Sequence, residues 1–222
     1  MSIAPALSWQ TNKLPKFKRY LFIFILISVL TFIISYYSFF NAWGFVGLFL
    51  SFIIIGSSLI TMNNNYSKNG FKKFFIYNNA LIAHIGVGIM ILGITCSSVF
   101  QSEFNLTLAL NEKIQVNEYT YELENTKIFD KKNYQELVGV FKIYKNKKLI
   151  SEIKPSKRYY HVSKMITTEA GIYRHWLQDF YIVLGNEANN KWNIKIYHNP
   201  LVNFIWIGTI LMIISGLIGI RK

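Results

Sequence analysis

The architecture turns on the stretch Ala80–Phe100, ALIAHIGVGIMILGITCSSVF. It holds no Asp, Glu, Lys or Arg and is long enough, as a helix, to cross a hydrocarbon layer about 30 Å thick. Three further stretches share these properties: Tyr20–Phe40, Ala42–Met62 and Pro200–Ile220. An apolar content of 52% and an aromatic content of 17%, high for a water-soluble globule, fit this reading. The spacing predicts an α-helical integral membrane protein of about four transmembrane helices.

On the N-terminal side, Leu21–Met62 is uncharged throughout and as one helix would extend about 63 Å, twice the hydrocarbon thickness, so it must turn. Asn41-Ala42-Trp43-Gly44 is the expected turn, with Trp43 at the membrane interface. The expected organisation is a basic segment 1–19, a helical hairpin 20–62, a polar loop 63–79, a third span 80–100, a domain 101–199, and a fourth span with a basic end 200–222. The run after the basic N-terminus is too long for a signal peptide and leads into another span, so it is read as retained.

Charge orients the chain. Residues 101–199 hold all 11 acidic residues against 15 Lys and Arg, a balance of +4 out of the +13 total. The remaining basic residues cluster before the first span (Lys13, Lys16, Lys18, Arg19), after the second (Lys68, Lys72, Lys73) and after the fourth (Arg221, Lys222). By the positive-inside rule these face the cytoplasm or mitochondrial matrix, with both termini, and residues 101–199 lie outside. That placement accounts for the basicity without nucleic acid, for which no basic helix or stacking motif argues. The expected setting is the bacterial cytoplasmic membrane or the mitochondrial inner membrane.

Residues 101–199 alternate apolar and polar side chains in short runs: Tyr119–Leu123, Val138–Tyr144, Leu149–Lys154, Phe180–Leu184 and Trp192–His198. Lys145–Lys148 and Gly185–Asn190 are the expected turns. Six to eight antiparallel strands follow, enough for one β-rich domain, a small barrel or sandwich. The single cysteine, Cys96, lies in the third span and is expected to pack there, so the outer domain has no disulfide.

His84 is the only histidine in a span, and an ionisable side chain in hydrocarbon is a functional candidate. Gly88, one turn later, flattens the same face. Such a face either admits a neighbouring helix or leaves room for a planar macrocycle whose iron the imidazole ligates; a single histidine leaves the second axial ligand to a partner chain. His161, His175 and His198 lack metal-ligand spacing and are expected to be surface or structural, His198 at the membrane interface. No Cys-x-x-Cys-His is present, which excludes a c-type cytochrome of the usual kind, and no motif supports a nucleotide-binding or hydrolase reading.

Several segments in order resemble the C-terminal part of the CcmF family, the integral-membrane haem lyase component of the cytochrome c maturation pathway. They are Ala83-His84-Ile85-Gly86 with Leu92-Gly93, Pro155-Ser156-Lys157-Arg158-Tyr159-Tyr160, and Thr168-Glu169-Ala170-Gly171-Ile172. Asp179–Gly185, Trp192, Asn199-Pro200-Leu201-Val202, Trp206-Ile207-Gly208 and Met212 complete the series. The resemblance implies attachment of haem to apocytochrome c outside the membrane through thioethers, with haem delivered by a haem chaperone. It also implies a membrane-embedded haem b, shared with a partner subunit, for which His84 matches one of two axial ligands. Pro155, Lys157, Arg158, Tyr160, Glu169, Asp179 and Trp192 match family motifs of unassigned role; singly, Pro155, Gly185 and Trp192 also read as turn or core residues.

Full members are several times longer and carry a tryptophan-rich segment, two outer haem-binding histidines and the other transmembrane histidine. The resemblance thus implies a split or truncated chain whose partner is a separately encoded N-terminal subunit; Met1 with its basic segment suits a split subunit. Such a chain is expected to be inactive alone. The competing expectation is a non-catalytic membrane scaffold whose β-domain docks partners and whose His84 only packs helices. A transporter would require polar residues facing a pathway, and these spans offer only Ser, Thr and Asn besides His84.

Overall fold

Apolar runs become helices because a backbone in hydrocarbon must satisfy its own hydrogen bonds. The computed structural model describes residues 14–37, 41–66 and 75–220. The helices are α1 (Leu14–Tyr37), α2 (Ala42–Tyr66), α3 (Asn79–Val99) and α4 (Val202–Ile220). Among the described residues three segments are long and apolar enough to cross a membrane, Ala42–Asn63, Asn79–Val99 and Val202–Ile220; α1 contributes the shorter apolar run Phe24–Ile33. The basic residues Lys13, Lys68, Lys72, Lys73, Arg221 and Lys222, and the side chains of Lys16, Lys18 and Arg19, lie outside the described residues.

The residues expected to turn, Asn41–Gly44, instead open α2. Asn41 caps α2, its Oδ1 accepting from the amides of Trp43 (2.9 Å) and Gly44 (3.2 Å), so Trp43 and Gly44 belong to the first helical turn. A short side-chain acceptor at this position satisfies amides that have no partner within the helix.

Two seams of small residues run along α3. Toward α4, a Cβ on Gly86 would stand 2.7 Å from Gly208 O, and one on Gly93 2.7 Å from Ile205 N. Toward α2, Ser51 Oγ donates to Gly88 O at 2.8 Å, and Gly47 lies against Thr95. Close backbone approach at small residues is how helices associate where lipid removes the hydrophobic drive.

The chain divides into two compact units, Met1–Phe100 with Pro200–Lys222, and Gln101–Asn199. The second is an antiparallel sandwich of ten strands rather than six to eight. These are β1 (Ser102–Leu108), β2 (Lys113–Val116), β3 (Tyr119–Asp130), β4 (Tyr134–Lys145), β5 (Lys148–Ile153), β6 (Ser156–Tyr160), β7 (Ile166–Glu169), β8 (Gly171–Arg174), β9 (Gln178–Ala188) and β10 (Lys191–Pro200). One sheet has the order β1-β10-β9-β8; the other has β2-β3-β4-β6-β7, with β5 also on β4. The larger count arises because β1, β2, β6, β7 and β8 lie outside the runs read from alternation; β6 follows β5 along β4 beyond Pro155, which has no amide to donate.

Turn chemistry sets two hairpins. Asn146-Lys147 and Asn189-Asn190 all have positive φ, the backbone that two-residue hairpin loops require. β9 therefore runs through Gly185, where a loop was expected; a Cβ there would meet Asn193 O at 2.7 Å on β10. The core is the alternating set of both inner faces, including Tyr119, Tyr121, Leu123, Phe141, Ile143, Phe180, Ile182, Leu184, Trp192, Ile194 and Ile196. Each fully buried apolar side chain contributes roughly 1.5–3 kcal/mol.

Candidate functional site

His84 lies on α3, half-buried, and among the described residues none hydrogen-bonds to its ring. Four residues from Gly88, it sits within about 40° of it around the helix, on the α2-facing side, and about 200° from Gly86 on the α4-facing side. The room left by the missing side chain of Gly88 is taken by α2: a Cβ would meet Ile55 Cγ1 at 2.6 Å and Ser51 O at 3.2 Å. Of the two uses open to this flat face, Gly88 serves helix packing. No group of three or more His, Cys, Asp or Glu that could hold a metal ion exists among the described residues. A lone imidazole with an unengaged ring nitrogen in an apolar helix fits one axial position of a haem iron.

The outer-domain residues separate into groups. Ser156, Arg158 and Glu169 meet because β6 pairs with β4 and β7, setting Glu136 opposite Arg158 and Ser156 opposite Glu169. Arg158 Nε donates to Glu136 Oε1 at 2.8 Å, and its Nη1 to Glu169 Oε1 at 3.3 Å; Ser156 Oγ donates to the same Glu136 oxygen at 2.8 Å. The guanidinium lies 5.2 Å over the Tyr134 ring, which is 5.3 Å from Tyr160. Arg158, then Ser156, holds the Glu136 carboxyl below the usual range. Glu136, Ser156, Arg158 and Glu169 line a cleft of about 480 Å³, walled by Phe129 and Val138. Glu136 carried no signal in the sequence, since only strand register brings it beneath Arg158.

Pro155 and Gly171 form a corner. The chain passes from β7 in one sheet to β8 in the other at Ala170-Gly171, and a Cβ on Gly171 would stand 2.8 Å from both the nitrogen and Cδ of Pro155. Lys157, on the inner side, donates to Asn186 Oδ1 of β9. Trp192 is in the core, opposite Leu108.

Asp179 is buried, its Oδ1 without a hydrogen-bond partner among the described residues. Burial pushes its carboxyl up, opposed by a backbone hydrogen bond from His175 and by Arg174, its register partner.

His198 is the residue the sequence misplaced. It is buried at the sandwich's inner face, Nε2 2.7 Å from Tyr121 Oη, with the Phe180 ring centroid at 4.8 Å and Phe104 at 5.3 Å. The signal was present: Trp192, Ile194 and Ile196 face inward, and the same period of two puts His198 next in the row.

Apolar helices before and after an inserted two-sheet sandwich define a membrane protein with a single β-domain. Residues 99–200 match the family model described as the CcmF C-terminal beta-sandwich. The chain is similar to the cytochrome c-type biogenesis protein CcmF of Pseudomonas fluorescens, 33% identical over 62% of this chain and 21% of that protein. It is similar also to NrfE of Haemophilus influenzae, 28% identical over 82% of this chain and 28% of that protein. A solved structure, "Cytochrome c Heme Lyase CcmF", superposes with a TM-score of 0.78 at 15% identity, covering 100% of this chain and 37% of that one; at that identity it bears on the fold. These matches place the sandwich, residues 99–200, in the CcmF family, and the chain is similar to the C-terminal part of the family's members. It spans between about a fifth and just over a quarter of the length of these curated relatives.

Proposed function

We propose that this chain is a subunit of a membrane haem lyase that matures c-type cytochromes, and that His84 supplies one axial ligand to a haem b shared with a partner subunit. The observation that carries the ligand assignment is the half-buried imidazole of His84, unengaged by any described residue. An unpaired polar ring in an apolar helix costs free energy unless a ligand or partner meets it. The relatives named as cytochrome c biogenesis proteins support the setting.

When bound, the haem would supply one-electron chemistry; the protein's part is to present an imidazole nitrogen from a helix packed against α2. Residues 101–199 lie outside the membrane on this reading, with both termini inside, in a bacterial or mitochondrial inner membrane. There the sandwich packs on the partner that receives haem from a chaperone and shapes access for apocytochrome c, whose thiols form the thioethers.

The test is spectral. The chain is purified with the remaining haem-lyase portion and compared with His84→Ala and His84→Met. Loss of the reduced b-type bands in His84→Ala, with altered bands in His84→Met, is the expected result. An unchanged spectrum in His84→Ala, with intact complex on gel filtration, overturns the ligand assignment.

A further inference from the structure

The larger sheet outruns the smaller one and leaves part of its inner face bare. Lys157, on the inner side of β6, still reaches β9 through Asn186. Two residues further along β6, Tyr159 pairs with Ile166, and they are 41% and 63% exposed. Ile128, opposite the partly buried core residue Leu137, is 64% exposed. The β6–β7 loop adds Val162 at 95% and Met165 at 60%.

Backbone hydrogen bonds hold these tips in place: His161 N donates to Asn133 O at 3.2 Å, and Tyr160 N to Met165 O at 2.9 Å. An inner sheet face is normally buried against its partner sheet, and exposed apolar side chains on a fixed frame mark an interaction site; Gln135 and Asp130 continue the row of Tyr159 and Ile166. The patch sits at the end of β3 away from Tyr119 and His198, about 36 Å along the strand, and so opposite the end where Ser102 pairs with His198.

We propose that this bare end docks a segment of another protein that presents apolar side chains flanked by carboxylates. Charge selects the occupant. Lys132 and Lys164 stand at these tips beside one acid, Asp130, whose carboxylate accepts from Gln135 at 2.9 Å, while Lys131 lines the cleft that holds Glu136. A second copy of the chain would set lysine against lysine, whereas a carboxylate-bearing segment meets its complement. The proposal does not rest on the haem assignment.

The test uses the full chain in lipid nanodiscs and three short fluorescent peptides, built from Leu and Glu, Leu and Lys, or Ser and Glu. The Leu/Glu peptide should bind saturably and the other two at least about tenfold more weakly. The double variant Val162→Asp, Ile166→Asp should weaken it by about tenfold or more, and Lys132→Glu with Lys164→Glu should shift preference to the Leu/Lys peptide. Both pairs are exposed, so near-ultraviolet circular dichroism should remain that of wild type. Equal binding of Ser/Glu and Leu/Glu, or binding untouched by the double variant, overturns the proposal. So does a dimer in sedimentation that Val162→Asp disperses, which would give the surface to a second copy. His84→Ala should leave peptide binding unaltered, which separates this result from the haem test.

Discussion

Tyr121 and His198 join the two sheets: Oη of one and Nε2 of the other lie 2.7 Å apart in the core, on β3 and β10. Burial keeps the imidazole pKa below its ordinary value and the phenol above its own, so both rings are neutral. Tyr121→Phe keeps the ring and strands the imidazole nitrogen, at a cost of about 1–3 kcal/mol. Thermal unfolding of the full chain should show the loss, and Tyr121→Phe with His198→Phe should cost less than the two single changes summed.

The same pair predicts an acid-labile domain. With the folded pKa of His198 depressed, the unfolded chain binds more protons as pH falls below about 6.5, so stability declines from there toward the folded pKa. Denaturation followed between pH 7 and 5 should show this slope, and His198→Phe should flatten it.

Arg158 bridges Glu136 and Glu169 with two nitrogens, a geometry that a lysine cannot reproduce. Arg158→Lys should therefore behave more like Arg158→Ala than like wild type in unfolding midpoint. Because the folded pKa of Glu136 is lowered, the stability it contributes is full above the unfolded value and lost as pH falls through the folded one. The gap between wild type and Arg158→Ala should close in acid.

Asp179 makes the opposite case. Its carboxyl is pushed up by burial and one oxygen is orphaned, so ionisation works against folding at neutral pH. Asp179→Asn should leave the protein as stable or more stable at pH 7, a gain that shrinks as pH falls through the raised folded pKa. A large loss at pH 7 would mean that the charge itself serves a bound group.

Helix seams can be tested by contrast. Gly86→Leu drives a side chain into the Gly208 backbone and should cost about 1–3 kcal/mol or more. Gly216, where a Cβ would have nothing within 4 Å, should accept alanine without loss of thermal stability in detergent.

What could be read from residues alone follows from short-range rules. Uncharged length marks a span because hydrocarbon excludes charge, and alternation in Tyr119–Leu123 and Trp192–Tyr197 marks strands because side chains point to alternate faces. Counting and boundaries suffered where local signals are short or ambiguous: β7 and β8 are four residues each, and Gly185 reads as a turn although its bareness serves contact with Asn193.

Residue order was enough to establish that apolar helices enclose a β-domain and that His84 is the one histidine in a span. It took the packed fold to set Glu136 under Arg158, to bring His198 to Tyr121 across the sandwich, and to fill the space at Gly88 with α2. Periodicity tells which face a residue occupies. Which distant residue shares that face depends on register and on the packing of one layer against another.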